Sequence, residues 1–220
     1  GASYNCTNLA KERIGFTGGD LLKKIGNKFL SGSHEGMTLD VASSLAIEMA
    51  GRSEFDQFLK ELVGEFEPTE EHELLTKFKW KAIFTTNYDE AVEKAYLNHR
   101  KDTKQKVEKI ICDNDPLQQA YSSAEKLPLI KVHGCITRLN DPSLPLVISR
   151  TDFRFHYQNR SGLFQSLKES LCNDLVIFYG YGLNDNNIIG LLDDIDREGK
   201  NRTRHIWIDP YMNELHKNFW

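Results

Sequence analysis

The stretch IFTTNYDEAVEKA, residues 83–95, decides how the fold of this chain is interpreted. Its apolar start predicts a strand over residues 82–85, and its second half has the spacing of a helix over residues 89–99. Between them stand Thr85, Thr86, Asn87 and Asp89. Such polar groups are costly to bury unless they are hydrogen-bonded. At the end of a strand they either cap the following helix or hold a ligand, and the sequence leaves both interpretations open for Asp89.

Segments with strand and helix spacing alternate along the rest of the chain. Further strands are predicted over residues 107–112, 127–134, 144–149, 174–180 and 204–209. Helices are predicted from Asp20 as N-cap onward, and over residues 39–49, 55–66 and 150–172. Residues 68–71 are predicted to open a further helix, with His72, Leu74 and Leu75 inside it. This order predicts an α/β fold, a Rossmann-like open, mainly parallel sheet with flanking helices, in which residues 30–80 are mainly a helical insertion. The apolar run at residues 174–180 is typical of a strand buried on both faces of such a sheet.

Composition places the chain among soluble globular proteins. It has 220 residues, of which 40% are hydrophobic and 27% charged, and its net charge is -4. Nothing in that balance indicates a nucleic-acid or membrane surface, so no direct binding of either is expected. The four cysteines form no CxxC pair, which argues against a structural zinc site and fits a reducing, cytoplasmic compartment. The charged residues 101–109 are interpreted as a solvated connection.

Polar or small residues follow four of the predicted strands. They are Thr85, Thr86, Asn87 and Asp89 after the first, His133 after another, Gly180, Tyr181 and Asp185 after a third, and Asp209 at the end of the last. Since ligands of open parallel sheets bind at the carboxyl ends of the strands, these residues are candidates for one site. Each also has an ordinary structural interpretation, with Asn87 in a turn, His133 in the core and Gly180 as a turn glycine. The argument for a ligand site is their joint occurrence.

The order of three motifs indicates a family. TTNYD, then LIKVHG, then VIFYGYGLNDNNI resembles the sirtuin superfamily, and it is closest to the sirtuin-like NAD-hydrolysing domains of bacterial antiphage defence proteins. The opening Gly1-Ala2-Ser3 resembles the end of the glycine-rich phosphate loop of these domains, and SRTDFRFHY resembles the region after their catalytic histidine. The resemblance spans most of the chain.

The resemblance implies an NAD glycohydrolase, which cleaves its substrate NAD to nicotinamide and ADP-ribose without a metal and acts as an NAD-depleting defence effector. It implies that Asn87 holds ribose hydroxyls and orients a water, and that His133 is the general base. The implied NAD-binding residues are Gly1, Ala2, Ser3, Thr85, Thr86, Asn87, Asp89, Gly180, Tyr181, Asp185 and Asp209. An NAD-dependent protein deacylase, an ADP-ribosyl transferase and a non-catalytic module that binds NAD or ADP-ribose stay open as alternatives.

Some segments depart from the sirtuin pattern. Protein deacetylases of the superfamily carry a four-cysteine zinc module, and this sequence lacks the cysteine pairs that such a module needs. The stretch RIGFTGGDLL replaces their usual cofactor-loop stretch. We expect residues 1–220 to form a single sirtuin-like domain that is incomplete at its N-terminus, with a short apolar strand and a further glycine preceding Gly1. An enzyme that destroys NAD needs control, so a homo-oligomer and a regulatory partner or further domains are expected. Residues 39–66 are the candidate surface for self-association, although packing over the sheet explains most of their apolar residues.

Overall fold

The computed structural model describes residues 2–181, 186–199 and 205–208 of the chain. The chain divides into two compact units. The larger unit comprises Ser3–Phe164, and the smaller unit comprises Gly1–Ala2 and Gln165–Trp220. Among the residues described, no helix is long and apolar enough to cross a membrane.

A parallel sheet of three strands forms the centre of the larger unit. The strands are β1 (Ile83–Thr85), β2 (Lys106–Ile110) and β3 (Lys126–Lys131), in the spatial order β1-β3-β2. Thr85 of β1 pairs with Lys131 of β3, and Ile110 of β2 pairs with Ile130 of β3. The side chains of β3 are almost all buried, as expected for a central strand. The predicted α/β fold with parallel strands and flanking helices is confirmed. β2 begins inside the charged residues 101–109, so only the first part of that run is a connection.

Helices precede, connect and follow these three strands along the chain. They are α1 (Gly18–Phe29), α2 (Leu39–Ala50), α3 (Arg52–Val63), α4 (Glu70–Leu75), α5 (Ala91–Asn98), α6 (Leu117–Ala120), α7 (Arg150–Arg154) and α8 (Ser161–Asn173), the last of which continues into the smaller unit. Helices α1, α2 and α3 pack around a buried cluster that includes Ile25, Ala46 and Phe55. A second cluster around Phe66 includes Ala91 of α5. Residues 30–80 are therefore largely helical, as predicted, and α5 follows the polar turn after β1.

Two helix starts differ from the sequence predictions. Thr17, not Asp20, is the N-cap of α1, because the Thr17 hydroxyl accepts the Asp20 N–H and the Asp20 carboxylate accepts the Thr17 N–H. Asp20 is thus the third helical residue of a capping box. Helix α3 begins at Arg52 rather than at Phe55, since its first turn is polar and the apolar spacing shows only later. Both errors arise because the helix starts were predicted from the positions of the apolar residues.

Residues 144–149 do not form the predicted strand. Three consecutive carbonyls of this segment accept hydrogen bonds from side chains instead of from a neighbouring strand. Arg160 Nη2 donates to Pro145 O at 2.8 Å, Arg52 Nη2 to Leu146 O at 2.9 Å and Tyr88 Oη to Val147 O at 2.8 Å. Leu146 and Ile148 are buried in the same cluster as Phe55. The apolar pattern of this segment therefore reflects burial rather than a strand, and side chains donate the hydrogen bonds that its backbone carbonyls accept.

The predicted helix over residues 150–172 is two helices, α7 and α8. Ser149 and Asp152 form a capping box at the start of α7. Helix α7 ends after one turn, and Asn159 has a left-handed φ of 59°. Helix α8 starts where the carboxylate of Asp113 accepts hydrogen bonds from Ser161 Oγ and Gly162 N, both at 2.9 Å. Since Asp113 comes from a distant loop, the local sequence could not reveal this second start.

The smaller unit contains a parallel pair of strands, β4 (Ile177–Tyr179) and β5 (Ile206–Ile208), and helix α9 (Asn186–Arg197). Both strands lie within the segments predicted from sequence. The prediction that β4 is buried on both faces is wrong, because Ile177 is 37% and Tyr179 40% exposed while only Phe178 is buried. Phe178 instead stacks on Trp207 of β5 with ring centroids 4.0 Å apart.

Candidate functional site

The turn between β1 and α5 gathers Ser3, Asn87 and Asp89 into one hydrogen-bonded group. Asn87 Nδ2 lies 2.7 Å from Ser3 Oγ, and Ser3 Oγ lies 2.5 Å from Asp89 Oδ2. Asp89 Oδ1 accepts the N–H of Ala91 at 2.9 Å, at the start of α5. The Asn87 N–H is satisfied by Thr85 Oγ1 at 3.1 Å. Asp89 therefore binds the first N–H of α5 with one oxygen and Ser3 with the other. The N-cap position of α5 is Glu90, so the interpretation of Asp89 as the N-cap is wrong.

The single proton of the Ser3 hydroxyl fixes the orientation of the Asn87 amide. A carboxylate accepts hydrogen bonds only, so Ser3 must donate its proton to Asp89. Ser3 Oγ then has only lone pairs for Asn87, and it must face the amide NH₂. Asn87 Oδ1 consequently points away from Ser3, and no residue that the structure describes donates to it. The turn after β1 thus presents an amide oxygen as an acceptor.

His133 lies at the corresponding end of the neighbouring strand. Thr85 and Lys131 are paired across β1 and β3, and Asn87 and His133 each stand two residues beyond that pair. The two residues therefore follow the same edge of the sheet, as predicted. The His133 side chain is buried, and its ring packs edge-on against Phe153 with centroids 5.6 Å apart.

The backbone around His133 is also fixed. Its carbonyl accepts the Val147 N–H at 3.0 Å. Gly134 follows with φ of 92°, and a Cβ at this position would lie 3.2 Å from Arg160 Nη2 and 3.1 Å from a Leu146 methyl group. Glycine is therefore required immediately after His133, both for the left-handed backbone and for the close approach.

The other predicted site residues have different outcomes. Thr85 and Thr86 are partly buried at the end of β1, and Ala2 lies in the 3-10 turn Ala2–Asn5. In the smaller unit, Gly180 has φ of 58° and donates its N–H to Ile208 O at 3.2 Å, while Tyr181 O accepts from Trp207 Nε1 at 3.2 Å. Gly1, Asp185 and Asp209 lie outside the described residues. The role of each as an NAD-binding residue stays a prediction.

A buried Cys6–His72 pair lies close to Asp89. Cys6 Sγ is 3.8 Å from His72 Nε2, and His72 Nδ1 accepts the Thr69 N–H at 3.2 Å, which places the imidazole proton on Nε2. Burial, followed by the charge of Asp89, raises the pKa of Cys6 to about 12. Burial also lowers the pKa of His72, although the charges of Asp89 and Glu71 oppose this. Both groups are therefore neutral at neutral pH, so Cys6 is not a thiolate nucleophile.

The lowered pKa of His72 predicts acid destabilisation. In the unfolded chain His72 titrates near 6.5, and in the folded chain it titrates lower. Below pH 6.5 the unfolded state binds more protons, so the stability that His72 contributes is present above pH 6.5 and is lost as the pH falls. We expect the melting temperature to decrease between pH 7.5 and pH 5.5 by less in His72→Gln than in the wild type. Equal decreases in the two proteins would contradict this assignment.

Sequence reasoning missed two residues that support the site. Gly15, which no sequence motif singled out, packs so closely on the Ser3–Asn5 turn that a Cβ would lie 2.1 Å from Ser3 O. Lys131, assigned only to a strand, is buried and donates to the carbonyl of Asp89 and to Glu93 Oε1, the latter at 3.1 Å. A lysine inside an otherwise apolar strand was a usable signal for the second. Gly15 had no comparable signal, because its partner is distant in sequence.

One group in the described part of the chain has the spacing of a metal site. Ligand atoms of Glu90, Glu93 and Cys135 all lie within 4.8 Å of one another. However, Lys109 Nζ lies 2.8 Å from Glu90, and Lys131 Nζ lies 3.1 Å from Glu93. Two ammonium groups thus neutralise the carboxylates that a cation would need.

Residues 81–220 match the model of the family described as the SIR2-like domain. The chain belongs to the SIR2-like family. This match covers β1 with its polar turn, β3 with His133, and the strands and helix of the smaller unit. The SIR2-like chain is also 28% identical over 151 residues to the NAD(+) hydrolase ThsA of Acinetobacter baumannii (strain 532279). That alignment covers 67% of this chain and 29% of ThsA, so the chain spans less than a third of that relative's length. The resemblance inferred from the three motifs is confirmed.

Proposed function

We propose that the chain is an NAD glycohydrolase that cleaves NAD to nicotinamide and ADP-ribose. Membership of the SIR2-like family and the similarity to a protein named as an NAD(+) hydrolase support the substrate and the reaction. The proposed cellular role, an effector that depletes NAD during defence, extends the family resemblance. The proposed reaction breaks the bond between ribose C1′ and the nicotinamide nitrogen, and the departing ring takes the bonding electrons.

The observation that carries the proposal is the orientation of Asn87. The bonds from Asn87 to Ser3 and from Ser3 to Asp89 direct the amide oxygen away from Ser3. An outward amide oxygen accepts a hydrogen bond from a ribose hydroxyl or from water. Because the amide is held by Ser3, which is itself held by Asp89, before substrate binds, little ordering entropy is lost on binding.

His133 supplies the base in the proposed mechanism. Histidine is the side chain that most often serves as a general base near neutral pH. It follows β3 as Asn87 follows the neighbouring strand β1, each two residues beyond the last paired residues. We propose that a water held by Asn87 adds to ribose C1′ as nicotinamide leaves, and that His133 takes the proton of this water. Attack by a cysteine thiolate is disfavoured, since the pKa of Cys6 is about 12.

Incubation of the chain with NAD tests the function directly. We expect stoichiometric release of nicotinamide and ADP-ribose, at a rate that an acylated peptide does not change. A rate that depends on the peptide, with a deacylated or ADP-ribosylated product, would instead show a deacylase or a transferase. Binding of ADP-ribose without any nicotinamide release would show a non-catalytic module. Chromatography of the nucleotides together with mass spectrometry of the peptide separates these outcomes.

A further inference from the structure

Lys131 is a buried lysine in the central strand of the sheet. Its side chain is 1% exposed, and it stands two residues before His133. Burying an ammonium group costs several kcal/mol unless opposite charge and hydrogen bonds compensate for the lost water. A buried lysine therefore indicates specific partners, which its contacts identify.

The ammonium group of Lys131 joins the turn after β1 to helix α5. It donates one hydrogen bond to the carbonyl of Asp89 and another, of 3.1 Å, to Glu93 Oε1 in the first turn of α5. The second carboxylate oxygen of Glu93 is buried and has no hydrogen-bond partner in the described part of the chain. Lys131, which is ion-paired with Glu93, therefore also binds Asp89, the residue whose carboxylate accepts the hydrogen bond of Ser3.

We propose that Lys131 is a positioning residue that acts on Asn87 through Asp89, an inference that rests on the proposed NAD cleavage. Lys131 fixes the carbonyl of Asp89, while Ser3 and Ala91 bind the two oxygens of its carboxylate. The carboxylate can therefore orient Ser3, and Ser3 orients the Asn87 amide. Lys131, the last residue of β3, in this way aligns Asn87, which follows the neighbouring strand β1, and the proposed base His133 stands two residues after Lys131.

The alternative is that Lys131 only neutralises Glu93 inside the fold. In that case, removing both charges together should restore whatever removing one of them lost. If Lys131 positions Asp89, by contrast, the double variant should not recover activity, because the hydrogen bond to the Asp89 carbonyl is lost whenever Lys131 is replaced. The double variant Lys131→Met/Glu93→Gln separates these roles, because it leaves no unpaired buried charge.

The first measurement is catalysis. We expect kcat for NAD cleavage to fall about 10²-fold in the double variant, the size of effect that a misplacement of about 1 Å produces. The KM should change little, and the melting temperature should stay within a few degrees of the wild-type value. Lys109→Met is the matched control, because Lys109 pairs with Glu90 at 2.8 Å in the same cluster but does not bind Asp89. Its kcat should stay close to that of the wild type. A double variant with wild-type kcat would overturn the proposal.

The second measurement is independent of activity. Hydrogen exchange followed by mass spectrometry reports whether the Ala91 N–H stays bonded to Asp89. We expect faster exchange over residues 86–92 in the double variant and not in Lys109→Met. Unchanged exchange in the double variant would refute the positioning role even if the wild type released no nicotinamide. A wild type without nicotinamide release, but with the expected exchange difference, would refute only the proposed function.

Discussion

Replacing Asn87 or His133 with alanine should lower NAD cleavage by about 10²–10⁴-fold, the usual cost of losing a positioned acid–base or orienting group. Asn87→Ala removes the amide oxygen proposed to hold the ribose or the water. His133→Ala removes the proposed base and leaves a space beside Phe153. The measurement is kcat/KM for nicotinamide release, together with the melting temperature of each variant.

Two neighbouring residues at the far end of α5 provide matched controls. Asn98 is exposed, and His99 faces Glu73 at 3.4 Å, so neither belongs to the turn after β1. Asn98→Ala and His99→Ala should keep kcat/KM within about threefold of the wild type, as expected for surface positions. If His133→Ala unfolds, His133→Asn tests the base with a smaller change of volume. Full activity in a folded variant of Asn87 or His133 would remove that residue from the mechanism.

Gly15→Ala should lower NAD cleavage although Gly15 is not part of the polar turn after β1. The new Cβ would lie 2.1 Å from Ser3 O and 2.5 Å from Tyr4 O, which are backbone atoms that cannot rotate away. The Ser3–Asn5 turn must therefore move, and Ser3 Oγ must move with it. We expect a loss of about 1–3 kcal/mol in the free energy of unfolding, typical of overpacking. NAD cleavage should decrease at least as much as in Ser3→Ala, which removes only the hydroxyl that orients Asn87.

Gly18→Ala is the matched substitution for this test. Gly18 is the first residue of α1, and a Cβ there meets no atom within 4 Å. Alanine also has the higher helix propensity by about 1 kcal/mol, so this variant should be as stable as the wild type or slightly more stable. Denaturant unfolding and nicotinamide release should be measured for both variants. Equal behaviour of Gly15→Ala and Gly18→Ala would show that the Ser3–Asn5 turn tolerates displacement.

The sequence predicted the elements whose causes are local. The strand predicted over residues 82–85, the helix over 89–99 and the strand over 127–134 correspond to β1, α5 and β3, with bounds that differ by one to three residues. The parallel arrangement followed from the alternation of strands and helices. Asn87 and His133 could be singled out because both follow strands that end at the same edge of the sheet.

The errors arose where distant side chains replace backbone pairing. The apolar pattern of residues 144–149 is that of a strand, but Arg52, Tyr88 and Arg160 bind its carbonyls. The start of α8 depends on the carboxylate of Asp113. The role of Gly15, which was missed, depends on its close approach to the backbone of Ser3. None of these contacts leaves a periodic pattern in the chain, so propensity and spacing carry no information about them.

The strand that comes last in the chain occupies the centre of the three-stranded sheet. β1 and β2 do not pair with each other, and each of them pairs with β3. Because Ile83 pairs with Leu129, β1 cannot pair until the chain as far as β3 has been made. At a synthesis rate of about 5–20 residues per second, roughly 2–9 s separate the appearance of β1 from that of its partner. Until β3 appears, neither β1 nor β2 has its partner strand, so we expect protection of these two strands from aggregation to matter for folding on the ribosome.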